Sequence, residues 1–187
     1  MEITGVCLRT VPEACSETIL AKFVAPYSKP LLDITKSKAY ELICSLCFFC
    51  DCLEHGNANL LNTILGQLPD KFFQVMETQQ SLPIDEVDKD LVQTCIFGMG
   101  LLSMRMPVET FPLAKVFAAI EWIYTQDFKT EKGERAECCE NATSTFGKLI
   151  YFHGATIGAD IAARGFFDRL PLTTDTEEAQ PTHKMLF

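Results

Sequence analysis

The sequence holds no apolar run near the roughly 18–20 residues that a membrane-spanning helix needs. Its first residues, Met1 to Thr10, include Glu2 and lack the apolar core of a secretory leader. Lysine and arginine nowhere cluster, and 16 of them stand against 25 aspartates and glutamates, a net charge of −9. A nucleic-acid partner needs a basic face to meet phosphate, so that class is excluded and basic protein partners are favoured. Glycine loops that cradle phosphate are missing too, because Gly98, Gly100 and Gly147 fall inside helical patterns, where glycine serves close packing. The expectation is a soluble chain in cytoplasm and nucleus, without membrane or nucleic-acid contact.

Groups for catalysis are also scarce. His55, His153 and His183 fall at the ends of helical patterns or in the terminal segment, where a cation meets a helix dipole or water. Cys138-Cys139 lies between Glu137 and Glu140, whose charge is expected to raise a thiol pKa, the opposite of nucleophile activation. No enzyme activity is expected. Nine cysteines, an odd number at irregular spacing, make no disulfide framework and read as reduced thiols used as small apolar residues. Cys44, Cys47, Cys50 and Cys52 have part of a metal-site spacing, but ligands on one straight helix cannot converge tetrahedrally. A thiol-metal protein is therefore the least favoured alternative, and neither metal nor cofactor is expected. The sequon Asn141-Ala142-Thr143 sits inside a helical pattern and is read as coincidence.

What is present is core and helix. With 48% apolar residues the chain can bury a core of ordinary domain size, and nothing in it reads as a strand. Phe146, Gly147 and Ile150 are echoed by Phe97, Gly98 and Leu101, 49 positions earlier, and by Phe49, Cys50 and Leu53, 48 further back. Each triplet is aromatic, then small, then aliphatic one helical turn on, as repeated helices pressing one face into their neighbours require. The period is nearest the roughly 40–47 residues of HEAT and armadillo units, well above the 33–34 of ankyrin and tetratricopeptide units.

Along the chain, Ser16 is expected to cap a helix through Ile19, Leu20, Phe23 and Val24, which Pro26 and Pro30 break. This reads as the second helix of a unit whose first is missing or abbreviated. Lys36 to His55 is a helix with Gly56 at its C-cap, and Asn57 caps Leu60 to Met76, kinked at Pro69. Asp85 caps the next helix, apolar nearly all round and ending before Pro107, and its partner runs from Val108 to Tyr124. A loop from Gln126 to Gly133, a helix from Glu134 to Phe152 and a shorter one from Ile157 to Leu170 follow. The segment from Asp175 is still apolar at Met185, Leu186 and Phe187, the expectation for a piece of a longer protein. The predicted fold is all-α: a right-handed HEAT-repeat α-solenoid fragment of antiparallel helix pairs over residues 1–187. Its approximate units are 1–35 (partial), 36–78, 85–127, 131–172 and 174–187 (partial).

Glu140-Asn141, Phe146-Gly147-Lys148-Leu149-Ile150, Leu170-Pro171-Leu172, Asp175 and Glu177-Glu178-Ala179, in that order, resemble the C-terminal HEAT repeats of the importin beta (karyopherin beta) family. The likeness is greatest to its importin-five, or karyopherin beta three, branch. Phe49-Cys50-Asp51-Cys52-Leu53-Glu54-His55 is similar to that branch's Phe-Asp-Asp-Leu-Ile-Glu-His, with Cys52 where an aliphatic is usual. The likeness covers Lys36 to the end. It implies part of a monomeric nuclear import receptor that carries cargo proteins with basic signals through the pore, meets FG nucleoporins and is controlled by Ran-GTP. The family's main Ran and signal contacts lie in N-terminal and central repeats, so no functional residue carries over to a numbered position here. The alternative is an unrelated HEAT scaffold or adaptor of the phosphatase or cytoskeletal type.

Between Val108 and Tyr124, the residues Leu113, Val116, Phe117, Ile120 and Ile123 form a core stripe, leaving Lys115, Ala118, Ala119, Trp122 and Gln126 on the other side. In superhelices resembling importin beta, second helices line the concave surface. Lys115, Glu121, Trp122 and Gln126 are therefore the predicted partner-binding residues, with Trp122 against the aliphatic stem and charge of a basic segment. The competing expectation is that Trp122 packs on the adjacent repeat.

Overall fold

A computed structural model describes residues 2–66, 68–130, 133, 135–158 and 165–184. Among them are ten α-helices and no strand, with one isolated β-bridge between Lys129 and Arg135. A short helix, α1 (Glu2–Thr10), precedes the first one expected from the sequence. The second, α2 (Pro12–Lys22), starts at Pro12, where a missing N–H costs nothing. Ser16 is thus not a cap; it is buried inside α2, and its Oγ accepts the Asn57 N–H at 3.1 Å. The break before α3 (Val24–Leu32) falls at Phe23 instead of Pro26, which lies in the first turn where no intrahelical N–H is needed.

Helix α4 (Ala39–His55) begins later than Lys36, because Lys36 and Ser37 fold back on Asp33 and Pro30. Gly56 is its C-cap but in an extended conformation; glycine is needed because a Cβ there would lie 2.5 Å from the Cys52 carbonyl. Asn57 Oδ1 accepts the Leu60 N–H at 3.1 Å and opens α5 (Ala58–Leu65), as expected. The single kinked helix expected next is two helices, since Pro69 starts α6 (Pro69–Gln80) afresh. Asp88, not Asp85, caps α7 (Lys89–Arg105), accepting from the Asp90 and Leu91 N–H groups at 3.0 and 3.1 Å; Asp85 lies in the preceding 3-10 turn, Ile84–Glu86.

Pro112 is the N-cap of α8 (Leu113–Gln126), so this helix starts later than Val108. Next come α9 (Glu137–His153), a 3-10 turn at Gly154–Thr156, another at Phe167–Arg169, and α10 (Thr176–Lys184). The middle of the helix expected from Ile157 to Leu170 lies outside the described residues, as do Met185, Leu186 and Phe187.

Helices α1, α4, α7, α9 and α10 form one layer, each packed on the next. Cys47 meets Thr94 and Arg105 reaches Leu53 O, offsets of 47 and 52 residues between α4 and α7. Gln93 meets Glu137, Thr145 reaches Ile96 O and His153 meets Ser103 O, offsets of 44, 49 and 50 between α7 and α9. Contacts that advance together along both helices mean parallel helices, in register by one period of the sequence echo. Helix α6 lies on α7, and α8 packs more on α9 than on α7. The echoed small residues are where these helices close up. A Cβ on Gly98 would stand 2.1 Å from the Phe72 ring, and one on Gly147 would stand 2.9 Å from Phe166. Phe49 and Leu53 are fully buried, each contributing roughly 1.5–3 kcal/mol through the area removed from water.

Candidate partner-binding surface

The outer side of α6 and α8 carries the predicted surface. Lys115 is exposed, its Nζ 3.3 Å from Glu77 Oε1 on α6 and 5.6 Å from the Phe73 ring centroid. Trp122 follows two helical turns along. It is half-buried and does two things at once, resting edge-on against Phe128 with ring centroids 5.6 Å apart while leaving part of its surface open. Glu121 is exposed and Gln126 half-buried beside it. Ala119, expected on this side, is instead 3% exposed, because the crowded stripe around Ile120 and Ile123 is wide enough to take it in. The packing partner, Phe128, lies in the loop that follows α8 itself.

Next to Lys115, the loop after α3 and the flank of α6 enclose an open groove of about 490 Å³ lined by Leu32, Asp33, Ile34, Gln74, Glu77 and Thr78. Leu32 and Ile34 give it apolar walls, and Asp33 and Glu77 place carboxylates along it. Lys36 at 2.6 Å, with Thr35, holds the Asp33 carboxyl below its ordinary range. Both groove carboxylates are thus met by lysines of the chain itself, in exposed pairs that an incoming cation can replace at little cost.

The second constellation was missed in the sequence, although its residues are those that carry the family likeness. Glu140 on α9 is 1% exposed, and its carboxylate accepts the backbone N–H groups of Thr173, Thr174 and Asp175 at 2.7–2.8 Å and the Thr173 hydroxyl at 3.2 Å. Burial pushes this carboxyl up, but the backbone donors outweigh it and hold it below its ordinary value. Asn141 Nδ2 donates to Asp175 Oδ2 at 2.7 Å, and Asp175 Oδ1 accepts the Glu178 N–H at 3.0 Å, capping α10. Lys148 is buried, its Nζ 2.6 Å from Glu178 Oε2 and 4.9 Å from the Phe97 ring centroid. The Ser144 hydroxyl donates to the same carboxylate and accepts from Thr182 at 2.9 Å. Four polar side chains at helical spacing on α9 thus latch α10 in place. Glu140, Asn141, Ser144 and Lys148 follow a three-four rhythm, a polar stripe inside a helix buried nearly all round, which is the signal that could have revealed it.

The thiols lie apart from these groups. Cys44 is exposed and Cys47 partly buried, whereas Cys50 and Cys52 are buried, so the four cysteines of α4 do not share one environment. Burial drives the Cys50 thiol far up and Cys52 to about 12. Cys138 is also raised, but by its hydrogen bond to Cys139 and by burial, while Cys139 is lowered by that same bond, against the expectation; the neighbouring carboxylate Glu140 is turned toward α10. Asn141 of the sequon is 2% exposed. His153 ends α9 and bonds the Ser103 carbonyl at 2.7 Å, and Arg105 bonds the Leu53 and Glu54 carbonyls at 2.9 and 2.7 Å. Side chains at the ends of α9 and α7 therefore meet C-terminal carbonyls of α7 and α4, one period back, and not those of their own helix.

No known protein family matches the chain, and neither a curated protein nor a solved structure matches it.

Proposed function

We propose that this chain is a segment of a HEAT-type α-solenoid, right-handed and built of antiparallel helix pairs, whose second-helix surface binds basic segments of partner proteins. The carrying observation is the parallel first-helix layer, joined from α4 to α9 at offsets of one sequence period. The groove carboxylates Asp33 and Glu77, whose lysine partners an incoming cation can displace, and the adjoining Lys115, Glu121, Trp122 and Gln126 support this reading. We further propose, on the likeness of Glu140 to Ala179 to importin beta repeats, that the whole receptor is a nuclear import carrier for basic cargo under control of Ran-GTP. Recovering the native protein from its source and measuring its binding to Ran loaded with GTP or GDP tests this reading. Preferential binding of the GTP form, with release of a basic cargo peptide, is expected. Peptide binding indifferent to Ran would reject the transport role and leave a scaffold; no binding of either would reject both.

A further inference from the structure

The latch between α9 and α10 has a hydroxyl in a telling place. Thr174 lies in the irregular segment just before α10, with its side chain exposed to solvent. Its backbone N–H is held by Glu140 at 2.8 Å, whereas the neighbouring Thr173 spends its own hydroxyl on the same carboxylate at 3.2 Å. Of the carboxylates that follow it, Asp175 and Glu178 are engaged in the latch, and the one three positions on in sequence is Glu177. An acceptor hydroxyl outside a helix, free at its side chain and followed by such an acid, suits a kinase whose basic site reads a carboxylate downstream.

We propose that Thr174 is a phosphorylation site for an acidic-directed protein kinase, and that the phosphate releases α10 from α9. In the transfer, the Thr174 Oγ attacks the γ-phosphorus of magnesium-bound ATP and the bond from that phosphorus to the β-bridging oxygen breaks. ADP leaves, and the hydroxyl proton passes to a carboxylate of the kinase. The product carries a charge of roughly −1.5 to −2 on a residue whose backbone is bound to one carboxylate and whose next neighbour bears another. At a bare helix start a phosphate is welcome, because unpaired N–H groups await it. Here the N–H groups just ahead of the helix, of Thr173, Thr174 and Asp175, are taken by Glu140 and that of Glu178 by Asp175, so the added charge is set beside anions. Repulsion between the phosphate and Glu140 loosens the three backbone bonds, and Asp175, which caps α10 and holds Asn141, loses its footing with them. The inference is independent of the import reading, since it rests on the latch alone.

The test treats the purified chain with an acidic-directed kinase and magnesium ATP, maps the phosphate by fragment mass spectrometry, and follows amide hydrogen exchange before and after. One phosphate at Thr174 is expected, with exchange at Thr173, Thr174 and Asp175 faster by roughly tenfold or more and helix α10 following. The variant Thr174→Val should take no phosphate there and keep the slow exchange of the unmodified chain, a sign that its latch is intact. Phosphate placed only on Thr173 or Thr176, or none at all, would overturn the site. A phosphate at Thr174 with unchanged exchange would overturn the release.

Discussion

Glu140 keeps a charge inside the molecule because the backbone of another segment turns three N–H groups onto it. Its folded-state pKa is depressed, so it contributes stability above its ordinary value of 4.5, and that contribution is lost as pH falls below 4.5 through the folded value. Substituting Glu140→Gln should cost about 2–3 kcal/mol at neutral pH, and urea unfolding from neutral to acid pH should show the gap from the parent closing below 4.5. A gap that stays constant across that range would remove Glu140 as its source. The Lys148–Glu178 pair makes a second residue-scale prediction. Its side chains are 4% and 12% exposed, so Lys148→Met strands a buried carboxylate and should cost about 3–5 kcal/mol, while adding Glu178→Met should recover most of it. If the double variant is no better than the single one, the coupling is absent. None of this was legible as chemistry in the sequence. The residues stood out as a family likeness, but a partner some 30–38 positions away, across an irregular segment, cannot be read from periodicity.

Element by element, the periodic cores were legible and the ends were not. The stripes from Leu42 to Leu53, from Leu91 to Leu102 and from Leu113 to Ile123 announce their helices, because burial repeats every three or four residues. Boundaries depend on which of several competing caps wins. Asp88 beats Asp85 because its own N–H is tied to Gln79 Oε1 at 2.8 Å, which fixes it at the helix start. Pro69 starts a helix where a kink had been expected, and Pro112 caps one expected to begin at Val108, since proline is cheapest at or just before the first position. Small residues in α7 and α9 were read correctly as places of close approach. Replacing Gly98→Ala should therefore destabilise by about 1–3 kcal/mol, because the Phe72 ring must move, and thermal unfolding will measure it. A neutral outcome would mean that α6 shifts freely on α7. The cation at the end of α7 makes a milder prediction: Arg105→Met should cost about 1 kcal/mol by freeing two carbonyls at the end of α4.

For the whole molecule, the echo near 48 positions is the feature that ties sequence to architecture, since a constant offset between contacting helices is the spatial form of a sequence repeat. The step from α9 to α10 is shorter than that from α4 to α7 or from α7 to α9, and there the polar latch joins the two helices. The surface of α6 and α8 borders the groove with Asp33 and Glu77 and carries, on α8, the one tryptophan of the chain. That residue reports on the central claim directly. Titrating an extended lysine- and arginine-rich peptide into the protein while following Trp122 emission should give a saturable change. Glu77→Lys should weaken that response about tenfold or more, and Trp122→Phe should weaken binding, read by calorimetry, by roughly 1–2 kcal/mol with little loss of thermal stability. Emission that stays constant while calorimetry shows the peptide bound elsewhere, or no binding at all, would contradict a partner-binding role for this surface.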